Sequence, residues 1–281
     1  MTIRAFWVLA VLAIAPAART ADPASKFARN HSYPAFHKLG NGSMEDSDLV
    51  GGISLGFDWT VLTIQADVQK LNVPPKGFRA LFDGKTLANW RGQIDEDPRR
   101  IAKVTKDLSD AEIKQLQEAA DQKTLAHWKA EDGLIHYDGA RGVGNLETRE
   151  HFGNFELYLD WKIPKGGDSG IFPRNMPQVQ IWDPAGGKRN VVGSGGLDNN
   201  GPDIPPKKKA DNPVGEWNTF YIKMVGDKIW VTLNGVPVIE GETKGNYWKE
   251  FKEPPPAKGP IVLQSHGSHL WFRNLFIREL D

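Results

Sequence analysis

Apolar and polar residues alternate with a period of two over much of the second half of the chain. Between Phe155 and Ile163 apolar residues occupy the odd positions, while Glu, Tyr, Asp and Lys occupy the even ones. This pattern predicts a strand with one buried face. Residues Gln178–Trp182 alternate in the same way and predict a second strand, with both glutamines and the tryptophan on one face.

Turn signals separate further short apolar runs. Gly226-Asp227-Lys228 lies between the runs Phe220–Val225 and Ile229–Leu233, and Asn234-Gly235 precedes Val236–Ile239. Asn-Gly between two such runs is a strong signal for a hairpin. More strands are predicted at Gly77–Lys85, 261–263, 270–272 and 275–277, and weaker signals occur between 51 and 64. Many short strands without alternating helices predict an all-β antiparallel sandwich or barrel.

One segment departs from this pattern. Residues 95–126 are highly charged, and Ser109 and Glu112 have the spacing of a capping box at a helix start. Ile113, Leu116 and Ala120 form a narrow apolar stripe at helical spacing. The segment therefore predicts a short helical insertion between strands.

The N-terminus has the three parts of a secretory signal peptide. Arg4 precedes the apolar run Ala5–Ala15, and small residues follow at Ala15–Ala17. The run is shorter than the about 20 residues that span a bilayer, and a buried helix is the alternative. We predict a signal peptide at 1–21, an N-terminal extension at 22–76 and one domain at 77–281. The mature protein is then periplasmic or extracellular, with no membrane insertion.

Composition limits the partners and the chemistry. Lys plus Arg and Asp plus Glu both number 35, so the formal net charge is zero. This balance argues against nucleic acid as a partner and against broad attraction to anionic membranes. The sequence contains no cysteine, which excludes disulfides, thiolate nucleophiles and cysteine-based metal sites. The 29 glycines and 19 prolines suit a fold with many tight turns.

Seven stretches of the chain carry a further signal, in the order Gly77–Gly92, Trp128–Leu134, Asn145–Lys162, Gly167–Arg174, Gln178–Asp183, Pro213–Phe220 and Gly259–Arg278. Together, and in this order, they resemble the 3-keto-disaccharide hydrolase domain family. The resemblance implies a concanavalin A-like jelly-roll β-sandwich, in agreement with the strand pattern. It also implies an enzyme that acts on 3-keto-glycosides or 3-keto-disaccharides. This sequence has Gln178 where other members carry a glutamate, so no role of that carboxylate can be transferred.

A ketone at C3 of a sugar acidifies the proton on C2. A general base can remove this proton, the glycosidic oxygen on C1 then leaves by elimination, and water can add to complete a net hydrolysis. Such a site needs a base, an acid for the leaving oxygen, and positive charge or a metal at the enolate oxygen. Substrates of this kind are small molecules or oligosaccharides.

Four residues are candidates for the catalytic chemistry. His266 can act as the base, although a histidine that only forms hydrogen bonds is the alternative. Glu147 can act as an acid, or it can pair with Arg149 two residues on. Arg174 can stabilise an enolate oxygen or form a surface ion pair, and Asp168 is a catalytic or a turn carboxylate.

Amides and a flat ring suit the binding of sugar hydroxyls and C–H faces. The candidate substrate-binding residues are Gln178, Gln180, Trp182, Gln264 and Asp183. Trp182 can equally belong to the core, and Asp183 can be only a turn residue. A divalent metal held by His266, Glu147, Asp168 and Asp183 is a further hypothesis, without any spacing motif to support it.

Two other functions fit a jelly roll. A non-catalytic carbohydrate-binding module would expose an aromatic platform instead of a pocket of catalytic groups. A laminarinase-type endoglucanase would carry a Glu-x-Asp-x-x-Glu strand motif, which does not occur in this sequence.

Overall fold

The protein is described from a computed structural model that covers residues 71–95, 98–183, 185, 192–200, 202–243 and 256–281. The predicted signal peptide and the weak strand signals between 51 and 64 lie outside these residues. Among the described helices, none combines the length and the apolar character that crossing a bilayer requires.

The described strands form two antiparallel sheets. In spatial order, the eight-stranded sheet contains β12 (Val236–Thr243), β11 (Lys228–Leu233), β10 (Asn218–Val225), β6 (Phe155–Lys162), β14 (His269–Glu279), β4 (Leu134–Asp138) and β3 (Trp128–Glu131), with β1 (Arg79–Ala80) beside β14. The six-stranded sheet contains β2 (Trp90–Gly92), β5 (Leu146–Thr148), β13 (Ile261–Leu263), β7 (Asp168–Pro173), β8 (Gln178–Trp182) and β9 (Leu197–Asp198).

The two sheets bury one continuous core between them. Leu157, Leu159 and Phe220 from the larger sheet and Ile171 and Val179 from the smaller one are fully buried members of this cluster. The predicted hairpins at Gly226–Lys228 and Asn234-Gly235 are both present. The all-β, concanavalin A-like jelly-roll prediction is therefore confirmed.

The predicted helical insertion is also present. It contains α1 (Pro98–Thr105) and α2 (Asp110–Leu125), and Ser109 and Glu112 form the capping box. Helix α2 lies against the edge strand β2, where Asp121 accepts from the Gly92 amide at 2.8 Å and Gln117 donates to the Gly92 carbonyl at 2.7 Å. The helix thus satisfies backbone groups that an edge strand leaves unpaired.

The even-numbered face of β6 differs from a simple solvated face. Glu156 and Asp160 on this face are 3% and 0% exposed. Asp160 pairs with Arg273 at 3.1 Å, and Glu156 pairs with Arg278. Both faces of β6 can be buried, because arginines from the neighbouring strand β14 neutralise the charges of the two carboxylates.

Strand β14 is continuous across the two runs predicted at 270–272 and 275–277. Its pairing with β6 shifts between Arg273 and Phe276, and Asn274 has a φ of 54°. Such a bulge changes the alternation of faces along the strand, so the sequence pattern looks interrupted. Asn274 also exchanges backbone-to-side-chain hydrogen bonds with Asn72 at 2.8 and 2.9 Å, so ordered contacts begin before Gly77.

Candidate active site

The outer face of the six-stranded sheet is polar, although its inner face belongs to the core. Ile171, Val179 and Leu263 point inward and are fully buried. Positions of opposite parity on the same strands point outward, because successive side chains of a strand alternate between faces. The residues that point outward are Asp168, Gly170, Gln178, Gln180 and Trp182. Gln264 lies beside them, because its backbone N–H donates to the Gly170 carbonyl at 3.0 Å.

His266 and Asp168 form a pair at one end of this face. The Nδ1 atom of His266 lies 2.9 Å from Oδ2 of Asp168. Because a carboxylate only accepts hydrogen bonds, Nδ1 of the neutral ring carries the proton and Nε2 carries the lone pair. The His266 side chain is 57% exposed, so an imidazole of fixed tautomer faces solvent. The sequence placed these two residues far apart, and the fold brings them together.

A directed chain of amides leads to the same carboxylate. Asn199 donates to Oε1 of Gln178 at 3.0 Å, and Gln178 donates to Oε1 of Gln180 at 2.5 Å. Gln180 in turn donates to Oδ1 of Asp168 at 3.2 Å. Gln264 joins this chain, because its Oε1 accepts from Gln178 at 3.1 Å. The donors of Asn199, Gln178 and Gln180 follow one another toward Asp168, with Gln264 as a side branch on Gln178, so the chain orders the carboxylate that holds His266.

Gly170 makes room for this network. A Cβ atom built on Gly170 would lie 2.4 Å from Cγ and 2.5 Å from Nε2 of Gln178. The Gln178 side chain therefore crosses directly over the glycine on its way to Gln180 and Gln264. A glycine within a strand often marks such a close approach.

We expect Gly170→Ala to lower cleavage or sugar-binding activity and to reduce the free energy of unfolding by about 1–3 kcal/mol, the cost of a buried polar group that loses its hydrogen bonds. The added methyl group displaces the Gln178 side chain, which is 2% exposed, and breaks its hydrogen bonds to Gln180 and Gln264, while the apolar core on the inner face of the sheet is not touched. Activity and urea unfolding measure the two effects. Gly193→Ala is the matched control, since its Cβ would meet Pro206 at an ordinary 3.5 Å. A Gly170→Ala variant with full activity would contradict this role of the glycine.

Trp182 and Asp183 follow the glutamines but differ in surroundings. Trp182 lies opposite Asp168 in the β7–β8 ladder and is partly exposed, so it is outside the core. Asp183 is fully buried and accepts hydrogen bonds from the amides of Gly166 at 2.7 Å and Ala185 at 2.8 Å. Its contacts are those of a turn residue.

Glu147 pairs with a different arginine from the one its sequence neighbours suggested. Its Oε1 atom accepts from Nε of Arg91 at 2.8 Å across the β2–β5 ladder, whereas Arg149 approaches Asp121 at 3.6 Å. Glu147 is 4% exposed. Burial raises the pKa of this carboxyl above its ordinary value, and the charge of Arg91 offsets the effect only in part. A carboxyl with a raised pKa is suited to donate a proton.

The raised pKa predicts how Glu147→Gln changes stability with pH. Below the ordinary pKa of 4.5, Glu147 is protonated in both states, so variant and parent should have similar stability. As pH rises through the raised pKa, the folded parent must ionise a buried group and loses stability that the glutamine keeps. Urea unfolding at pH 4 and pH 7 measures the difference. An advantage of the variant that is absent or that shrinks with increasing pH would contradict the prediction.

Arg174 is not part of the His266 network. It follows β7 at the end opposite Asp168, and its side chain is 1% exposed. Its guanidinium donates to the carbonyls of Gly153 at 3.2 Å and Ala257 at 2.9 Å, and also to that of Gly226. The structure therefore places Arg174 as a buried bridge between loops, neither the surface ion pair nor the enolate contact that the sequence suggested.

The four residues predicted as metal ligands have other partners in the structure. Glu147 is engaged by Arg91 and Asp183 by backbone amides, while His266 and Asp168 bind each other. Within the described ranges, no group of three or more His, Asp or Glu side chains is arranged to hold a metal ion. The four predicted ligands therefore do not assemble into one site.

Sequence reasoning missed three residues that shape this face. Asn199 has a φ of 54° and lies in a turn, where its amide fixes the orientation of Gln178. Arg91 lies in a short edge strand with no alternation to reveal its direction. Gly170 carried a usable signal, because a glycine between Ser169 and Ile171 interrupts the strand pattern.

Comparison with known proteins agrees with this fold. A curated 3-keto-disaccharide hydrolase of Bacteroides thetaiotaomicron is 24% identical over 293 residues, covering 85% of this chain and 91% of the relative. A crystal structure of a provisionally named glycosyl hydrolase from Parabacteroides distasonis aligns with a TM-score of 0.55 at 23% identity, covering 75% of this chain and 100% of that one. A second such structure from the same organism has a TM-score of 0.52 at 25% identity, covering 73% and 85%.

One protein family matches most of the chain. Its description is 3-keto-alpha-glucoside-1,2-lyase-like domain, and the match covers residues 77–278. These limits nearly coincide with the domain that contains both sheets and the polar face. The protein therefore belongs to the family of 3-keto-alpha-glucoside-1,2-lyase-like domains.

Proposed function

We propose that the protein is an enzyme that cleaves glycosides or disaccharides whose sugar is oxidised at C3. The observation that carries the proposal is the His266–Asp168 pair at 2.9 Å, held at one end of an ordered chain of amides. Membership of the family and the name of the Bacteroides relative support the substrate class.

His266 is the base of the proposed reaction. Its Nε2 lone pair takes the proton from C2, and the C–H electron pair forms the enolate with the C3 carbonyl. The enolate then re-forms the carbonyl, a C1–C2 double bond appears, and the C1–O bond breaks with its electrons on the leaving oxygen. Water can add its hydroxyl to C1 and a proton to C2 to complete hydrolysis. Asp168 accepts from Nδ1 and stabilises the imidazolium formed in the first step.

The other candidate residues bind the sugar and assist the leaving group. The oxygen of each amide has two lone pairs, so Gln180 and Gln264 can accept from sugar hydroxyls in addition to the hydrogen bond that each accepts from Gln178. Trp182 offers a partly exposed ring beside Asp168 for a C–H face of the sugar. Glu147, with its raised pKa, is the carboxyl assigned to protonate the leaving oxygen.

A direct assay tests the proposal. Purified protein is incubated with a 3-keto-α-glucoside that carries a chromogenic aglycone, with the unoxidised glucoside as the control substrate. Release of the aglycone from the keto-sugar alone supports the enzyme. Unchanged keto-sugar together with measurable binding by calorimetry would instead support a carbohydrate-binding module.

Export and a metal requirement stay separate predictions. Export predicts that protein recovered outside the cytoplasm lacks residues 1–21, which N-terminal sequencing measures. A divalent metal at the active site would show as activity that a chelator removes and a defined ion restores. The proton transfer to His266 and the elimination depend on neither export nor a metal.

A further inference from the structure

Two histidines meet on the larger sheet, away from the polar face of the smaller one. His136 lies on β4 and His269 begins β14, and the two strands are antiparallel neighbours. The Nε2 atom of His136 is 3.1 Å from Nδ1 of His269. His269 is exposed and the His136 side chain is 19% exposed, so both nitrogens lie near solvent.

Neighbouring groups fix the orientation of His136. Oε1 of Glu131 lies 2.5 Å from its Nδ1 atom, so Nδ1 carries the proton and Nε2 carries the lone pair in the neutral ring. The ring of Trp271 stacks on His136 with centroids 5.2 Å apart and an interplanar angle of 3°. A carboxylate on the distal nitrogen of a histidine is the arrangement that commonly supports metal-ligating imidazoles.

We propose that His136 and His269 form a surface site for a divalent transition-metal ion that favours imidazole, such as Cu²⁺, Ni²⁺ or Zn²⁺. Metal–nitrogen bonds of this class are about 2.0–2.1 Å long, so two adjacent ligands on one ion have nitrogens about 3 Å apart. The observed 3.1 Å between Nε2 and Nδ1 fits this separation. Without metal, Nδ1 of His269 carries a proton and donates it to the lone pair on Nε2 of His136. When the metal binds, this proton moves to Nε2 of His269 itself, so both rings stay neutral.

Charge and ligand type narrow the choice of ion. Glu131 and Asp138, which pairs with His269 in the ladder, place negative charge beside the two rings. The ammonium of Lys129 donates to the Leu125 carbonyl at 3.0 Å, and that of Lys162 lies over the ring of Trp271, 4.7 Å from its centroid. Two imidazoles favour copper, nickel or zinc over magnesium or calcium, with copper the tightest of the series. Among the residues that the structure describes, no third His, Asp or Glu side chain is placed to bind the same ion. Water therefore fills the remaining coordination positions.

The test uses the full chain, stripped of metal by a chelator and then titrated with Ni²⁺ in a calorimeter. His136→Gln and His269→Gln should each weaken binding by about tenfold or more, and Glu131→Gln by about 10–100-fold, as losses of supporting carboxylates usually do. His151→Gln, another exposed histidine, is the matched control and should leave the affinity unchanged. Circular dichroism establishes that each variant is folded.

Electron paramagnetic resonance of bound Cu²⁺ gives an independent measurement. The spectrum should show coupling to two imidazole nitrogens in the parent and to one in either single variant. Equal affinity in the parent and in the double variant His136→Gln/His269→Gln would overturn the proposal, as would nitrogen coupling that the variants do not change. Cleavage of a keto-sugar is measured separately, so failure of this site leaves the proposed enzyme activity untouched.

Discussion

Replacing His266 with glutamine is expected to lower kcat for cleavage of a 3-keto-glucoside by about 10²–10⁴-fold, the usual contribution of a general base. The glutamine keeps a polar side chain near Asp168 but cannot take a proton from C2. Stability should change little, because the His266 side chain is 57% exposed. Steady-state kinetics with a chromogenic 3-keto-glucoside and urea unfolding measure the two quantities.

His127→Gln is the matched control for this prediction. His127 also pairs with an aspartate through Nδ1, at the same 2.9 Å from Asp138, and its side chain is 37% exposed. It lies between α2 and β3, away from the outward face of the smaller sheet. The control should keep the activity of the parent. A His266→Gln variant that retained most of that activity would remove this residue from the mechanism.

Replacing Asp160 with alanine is expected to lower the free energy of unfolding by about 3–5 kcal/mol, the cost of breaking a buried ion pair. Asp160 is fully buried and accepts from Thr219 at 2.7 Å, Arg273 at 3.1 Å and Asn274 at 2.8 Å. The alanine removes the carboxylate that faces the guanidinium of Arg273. Because the Arg273 side chain is only 9% exposed, little water can replace that carboxylate. Urea unfolding followed by tryptophan fluorescence measures the loss.

An exposed ion pair supplies the comparison. Glu150 pairs with Arg79 at 2.5 Å, but the side chains are 53% and 42% exposed. Because water and salt screen such pairs, Glu150→Ala should cost no more than about 1 kcal/mol. If Glu150→Ala and Asp160→Ala lowered the free energy of unfolding by the same amount, burial of the ion pair would not be the reason for its contribution to stability.

The sequence predicts the strands well where side chains alternate and turns carry glycine. The β6 strand and the hairpins around Gly226 and Asn234 follow from local rules, because alternation and turn geometry depend on neighbours in the chain. The second buried face of β6 does not, since its burial depends on Arg273 and Arg278 from a distant strand. Long-range ion pairs leave no local periodicity.

In the candidate site, too, the sequence predicts the features that depend on neighbours in the chain and misses those that depend on distant strands. The shared face of Gln178, Gln180 and Trp182 follows from the period of a strand, and the structure shows it. The ion pair of Glu147 with Arg91 depends on which strands lie side by side, so local spacing pointed to Arg149 instead. Arg174 is a candidate by its residue type alone, yet its buried side chain donates to three loop carbonyls.

The central claim concerns the proton on C2 of the sugar, and a labelled substrate tests it most directly. A 3-keto-glucoside that carries deuterium at C2 is cleaved in ordinary water, and the sugar product is analysed by mass spectrometry. Incubation with His266→Gln measures how much deuterium is lost without the base.

If His266 removes the C2 proton before the glycosidic bond breaks, the unsaturated keto-sugar has lost its deuterium. The hydrated form has lost it too, because the imidazolium of the exposed His266 exchanges its deuteron with water before a proton returns to C2. A sugar product that keeps the deuterium at C2 after complete cleavage would contradict this mechanism, because the C1–O bond would then have broken without any enolate.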